Sequence, residues 1–106
     1  MSAPVIDLGD NHTMQFYGWS PDRKLNPQYD GVPDAKKYGA FVSHLTPDGS
    51  KCESAIVFDS ETSRRIDDNR PKWVVESWEP FTMSPSLLCR ACGDHGFIRE
   101  GKWVRA

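Results

Sequence analysis

Long apolar runs are missing from this chain of 106 residues: the longest are of the size of Ala55 to Phe58. A bilayer takes roughly 20 such residues to cross, so no transmembrane helix is predicted. A strong charge of one sign is missing as well. Thirteen Lys and Arg against fifteen Asp and Glu leave a net charge of -2, which gives no overall field toward nucleic acid or anionic lipid. The first residues, MSAPVIDLGD, have neither the basic start nor the apolar stretch of a signal peptide. The expected location is the cytoplasm, that of the host if the gene is viral. Also missing are an amphipathic pattern of helical length, an internal repeat, and the phosphate-binding, dinucleotide-binding, H-E-x-x-H and nucleophile-elbow motifs. No catalytic residue is assigned from these templates. Cysteine is scarce, and the three present cannot all pair within one chain. In a reducing compartment such a set reads as metal ligands sooner than as a disulfide framework.

What remains is a single domain of 38% hydrophobic residues in short β-like runs broken by Pro and Gly, residues 1 to 106. Pro4 to Leu8 suits an edge strand, and Thr13 to Trp19 is rich in aromatic and β-branched types. Ser20 to Gly39, with three prolines and two glycines and no periodicity, reads as a long loop. The two runs in AFVSHLTPDGSKCESAIVFDS flank Thr46-Pro47-Asp48-Gly49-Ser50, which suits a hairpin. Ser60 to Arg70 can form one or two helical turns, capped by Ser60 or Asp59 and stopped by Pro71. Lys72 to Thr82 reads as a strand ended by Pro80 or by Ser84-Pro85-Ser86. Glu100-Gly101 turns a second hairpin. The fold class expected is mainly β: a small antiparallel sheet of hairpins with a zinc knuckle and at most one short helix.

The chemistry concentrates in Cys89-x-x-Cys92-x-x-His95. Zinc in structural sites takes four tetrahedral sulfur or nitrogen donors, and a C-x-x-C turn places two thiolates on one ion. Gly93 provides the positive φ that such a turn often needs. His95 is close enough in sequence to be a third ligand. The distal Cys52 is the expected fourth, so the candidate set is Cys52, Cys89, Cys92 and His95. His44 on the preceding strand is the alternative for the open position, with His12 behind it. Asp94 is either a ligand or an acceptor that orients His95. With only three protein ligands a water would occupy the last position and become a nucleophile, which is the route by which an enzyme stays open. The deaminase pattern H-x-E followed by P-C-x-x-C is not met, since no His-x-Glu precedes the knuckle. Arg90, Arg99, Lys102 and Arg105, interleaved with Phe97 and Trp103, form a candidate cationic and aromatic face for nucleic acid.

From Trp73 onward the sequence resembles a family of small uncharacterised proteins of actinobacteria and their bacteriophages. The residues that carry this are Trp78, Pro85, Ser86, Cys89, Cys92, Gly93, His95, Gly96, Ile98, Gly101 and Trp103. The resemblance covers about a third of the chain, implies a short metal-binding module and lends no mechanism. Taken together, the sequence points to a non-enzymatic protein with structural zinc that acts through protein contacts. The Ser20 to Gly39 loop and the C-terminal hairpin are the candidate contact surfaces.

Overall fold

The computed structural model describes residues 3–106. Strands β1 (Ile6–Gly9), β2 (His12–Trp19), β3 (Ala35–Leu45) and β4 (Lys51–Val57) form one antiparallel sheet in that order. The β1–β2 reversal uses Asp10 and Asn11 at φ 51° and 61°, a left-handed conformation that Asn and Asp tolerate better than other side chains. Helix α1 (Glu61–Ile66) follows, capped by Ser60, whose hydroxyl accepts from the Ser63 backbone N–H while the Ser63 hydroxyl accepts from that of Ser60. A two-stranded hairpin of β5 (Val74–Trp78) and β6 (Phe81–Ser84) comes next. Last is a three-stranded sheet, β7 (Leu87–Leu88), β8 (His95–Arg99) and β9 (Lys102–Arg105). The architecture is mainly β with one short helix.

Two boundaries differ from the sequence expectation. The long loop ends at Asp34, because Ala35 to Gly39 pair with Trp19 and Tyr17 of β2 and Tyr38 is buried. Polar AKKY reads as loop, yet it pairs with β2 across a register irregularity, with both lysines exposed and Tyr38 buried, and cross-strand pairing decides. The rest of the loop is pinned by Arg23, whose guanidinium donates to Val32 O (2.6 Å) and to Asp34 Oδ1 (2.6 Å). The strand expected over Lys72 to Thr82 instead folds back at Glu79-Pro80 into the β5–β6 hairpin.

The core lies where the inner face of the large sheet meets the C-terminal strands. Leu8, Met14, Ala40, Val42, Ile56 and Phe58 supply one side, and Phe81, Met83, Leu87, Ile98 and Trp103 the other. Fully burying a side chain of the Leu, Met or Phe kind stabilises by about 1.5–3 kcal/mol, so this seam holds the two halves together. On the C-terminal side Gly96 of β8 packs directly against Trp103 of the neighbouring β9. A Cβ there would lie 2.6 Å from the Trp103 ring and from Val104 O. Gly96→Ala is therefore expected to cost about 1–3 kcal/mol, read as a lower midpoint in thermal unfolding.

Candidate functional site

Register builds the site. In the large sheet His12 stands opposite His44 and His44 opposite Cys52, and directly opposed residues project to the same face. The next inward row is Met14, Val42 and Ser54. The core face thus ends in a transverse row of two imidazoles and a thiol. His12 and His44 are buried, and Cys52 is half-buried at the free edge of β4.

The knuckle between β7 and β8 closes over this row. The Gly93 N–H donates to Cys89 O (2.7 Å) and the Cys89 N–H to Asp94 O (2.7 Å), with Gly93 at φ 81° reversing the chain as the sequence leads one to expect. One ligand atom each from His44, Cys52, Cys89 and Cys92 lie within 4.8 Å of one another, and His44 Nε2 is 3.1 Å from Cys92 Sγ. Three thiols and an imidazole converging from two sheets can hold a metal ion. The thiols are already differentiated. The backbone N–H of Cys92 points at Cys89 and lowers its pKa. Desolvation, then the neighbouring Cys89 and Cys92, push Cys52 up to about 11.

His95, expected as the third ligand, does not join this cluster; Cys52, the expected fourth, and His44, its alternative, both stand in it. The reason is strand alternation. After the Gly93 reversal, Gly96 and Ile98 face the core, so His95, Phe97 and Arg99 face outward. Cys52, Cys89 and Cys92 do come together.

Asp94, by contrast, faces inward. Its Oδ2 is 2.7 Å from His12 Nε2 and 3.9 Å from His44 Nδ1. His12 Nδ1 is 2.6 Å from Asp10 O, and its ring stacks on Trp103 (4.0 Å between centroids, 10° between planes) and on His44 (5.1 Å). Both ring nitrogens of His12 thus have a hydrogen-bonding partner, one on β1–β2 and one on the knuckle. Asp94 thus approaches His12 and His44, not His95 as expected. His12, Asp94 and His44 also form a second group whose ligand atoms lie within metal-binding reach of one another. An open cleft of about 490 Å³, lined among others by His12, His44, Cys92, Asp94 and His95, exposes the region to solvent.

On the outer face His95 Nε2 is 2.8 Å from Ser86 Oγ. Among the described residues this is the one hydrogen bond between a hydroxyl and an imidazole. Ser86 precedes β7, and its carbonyl accepts from Trp73 Nε1 (3.4 Å). Exposed Leu88 and Val104 and half-buried Phe97 surround the pair, with the Arg99 guanidinium 4.2 Å from the Phe97 ring centre. The aromatic and cationic face expected for nucleic acid is divided by the same alternation. Trp103 is buried inside against His12, and Arg105 pairs with Asp10 (3.0 Å). From the sequence, Ser86 has a place in a turn and in the family resemblance but no chemical role. Its Pro85-Ser86 setting just before the knuckle was visible, but its contact with His95 depends on how β7 pairs with β8.

The fold and site therefore define a small β protein in which a three-cysteine, one-histidine cluster able to hold a metal ion spans two sheets beside a surface Ser–His pair. A family model described as "Bacterial ubiquitination-like system serine protease (BubE)" matches residues 20–106, and the chain belongs to that family. No curated protein and no solved structure matches the chain.

Proposed function

We propose that this chain is a serine peptidase of a bacterial ubiquitination-like system, with Ser86 as nucleophile and His95 as its base. We further propose that zinc at Cys52, Cys89, Cys92 and His44 has a structural role. The observation that carries the reading is the 2.8 Å hydrogen bond between Ser86 Oγ and His95 Nε2, in a family whose description names a serine protease. A serine hydroxyl is a weak nucleophile until a neighbouring base takes its proton, and His95 is placed for that. In the first half-reaction Ser86 Oγ bonds to the carbonyl carbon of an amide while its proton passes to His95 Nε2. His95 then protonates the departing amine as the C–N bond breaks, leaving an acyl-Ser86 ester. Water, deprotonated by His95, hydrolyses that ester and restores the hydroxyl. Leu88, Phe97 and Val104 provide an apolar surface beside the nucleophile against which a peptide lies.

Cys52, Cys89, Cys92 and His44 would supply a zinc ion with three sulfurs and one nitrogen, the donor set of a structural site rather than one that binds substrate. The metal centre instead fixes the knuckle that leads into His95. This departs from the non-enzymatic role expected from a closed structural metal site and the absence of catalytic motifs. It keeps the expectation of protein partners, since a ubiquitination-like system acts on proteins.

A fluorophosphonate probe tests the proposal. Purified protein is expected to gain one covalent adduct, mapped by mass spectrometry to Ser86 and lost in Ser86→Ala. No adduct, or one on another serine, returns the chain to a contact module acting through the same outer face.

A further inference from the structure

The metal centre and the Ser–His pair lie on opposite faces of one short segment, and Asp94 sits between them. It follows Cys92 by two residues and precedes His95 directly. Its backbone oxygen is held by the Cys89 N–H (2.7 Å), and its carboxylate by His12 (2.7 Å). His12 in turn belongs to β2 and is 4% exposed, fixed by Asp10 O on one side and by the Trp103 ring below. The same carboxylate oxygen lies 3.9 Å from Nδ1 of His44, an approach longer than a hydrogen bond, and Nε2 of that ring faces the cysteines. A metal-ligating histidine is commonly oriented by a carboxylate at its far nitrogen, and such partners affect affinity strongly.

We infer that His12 and Asp94 are a positioning pair. They orient the His44 imidazole toward the three thiols and fix the start of β8, so that His95 meets Ser86. This deepens the function proposed above and rests on it. His12 touches neither the cysteines nor the Ser–His pair and acts through Asp94 and its stack with His44. Its burial between two aromatic rings, with both nitrogens hydrogen-bonded, gives one orientation to the ring and so to the carboxylate it holds.

The test uses the full chain with its metal, in the near-isosteric Asp94→Asn and in His12→Gln, whose amide N–H keeps a donor for Asp94. Metal affinity by chelator competition is expected to fall about 10- to 100-fold in Asp94→Asn and less in His12→Gln. The visible spectrum of the cobalt-substituted protein should shift in both, a change that loss of stability alone does not cause in the folded, loaded protein. Turnover of a peptide amide should fall about 10- to 100-fold in kcat with little change in KM. Ser86→Ala serves as the control and keeps the parent's affinity and spectrum. Parent-like affinity and cobalt spectrum in both His12→Gln and Asp94→Asn overturn the inference. So does a parent that binds two equivalents of metal and loses one in each variant, because Asp94 is then a ligand. If Ser86→Ala leaves probe labelling intact, the peptidase reading falls while the affinity and spectral measurements still decide this one.

Discussion

Stripping the metal with a chelator, or replacing Cys52 by Ser, is expected to abolish cooperative thermal unfolding near the parent's midpoint and to release the C-terminal strands from the large sheet. Structural zinc contributes on the order of 10 kcal/mol of apparent folding free energy, about as much as the whole net stability of a small domain. The placement of Cys52 makes its loss severe. It is the donor on the free edge of β4, whereas Cys89 and Cys92 belong to the knuckle, so with His44 it joins the two halves of the molecule. The large sheet keeps its own strand pairing, and far-UV circular dichroism should show residual β structure after tryptophan fluorescence reports exposure of Trp103. Metal binding should also release protons. A thiol binds as thiolate, so the Cys52 proton, retained up to about 11 by desolvation and by its two thiol neighbours, leaves when a cation arrives. Cys89, whose pKa is lowered by the Cys92 N–H, gives up its proton more easily. Affinity therefore falls as pH falls, because protons and metal compete for the same sulfurs. Calorimetry in buffers of different ionisation enthalpy near neutral pH should give a positive number of protons released per metal bound. Metal binding without proton release, or a chelated protein that melts like the parent, rejects the centre.

Composition and turn chemistry made the fold class legible, and the reasons appear at particular residues. Glu100-Gly101 turns its hairpin at φ 51° and 73°, and Thr46 to Ser50 turn theirs with Leu45 opposite Lys51. That second register already contains the correction to the metal site. A five-residue loop closed by Leu45 and Lys51 puts His44 beside Cys52, so pairing plus alternation favours His44 as the ligand. Proximity in sequence favours His95, three residues after Cys92, and misleads because Gly93 reverses the chain and β8 then turns His95 outward. The three cysteines are easier to group from sequence, since the C-x-x-C spacing places two on one turn and the odd count leaves Cys52 without a disulfide partner. The contacts of Asp94 with His12 and of Ser86 with His95 were harder. The first joins residues 82 positions apart, and the second depends on a two-residue strand, β7, which carries no periodic signal. Tyr38 shows the same limit: its burial in β3 follows from the length of β2 opposite, which local polarity hides.

Replacing Ser86 by Ala is expected to lower kcat/KM for a peptide amide by about 1,000-fold or more, and replacing His95 by Gln by a similar factor. Groups that act as a unit do not contribute additively, so the double variant should be little worse than either single one. A further variant, His44→Ala, separates the two histidines. If His95 is the base on the outer face, His95→Gln retains a full equivalent of metal and the parent's melting temperature while losing turnover. His44→Ala should do the opposite first, losing metal and stability, with activity falling only as the knuckle loosens. The distinction is sharp because the two imidazoles lie on opposite faces of the β7–β8 connection, one against Cys92 Sγ at 3.1 Å and the other against Ser86 Oγ at 2.8 Å. Metal loss in His95→Gln with metal retained in His44→Ala would reverse both assignments together. A strand can turn only one of its faces to the core, so β8 does not give His95 to the metal and to Ser86 in the same structure.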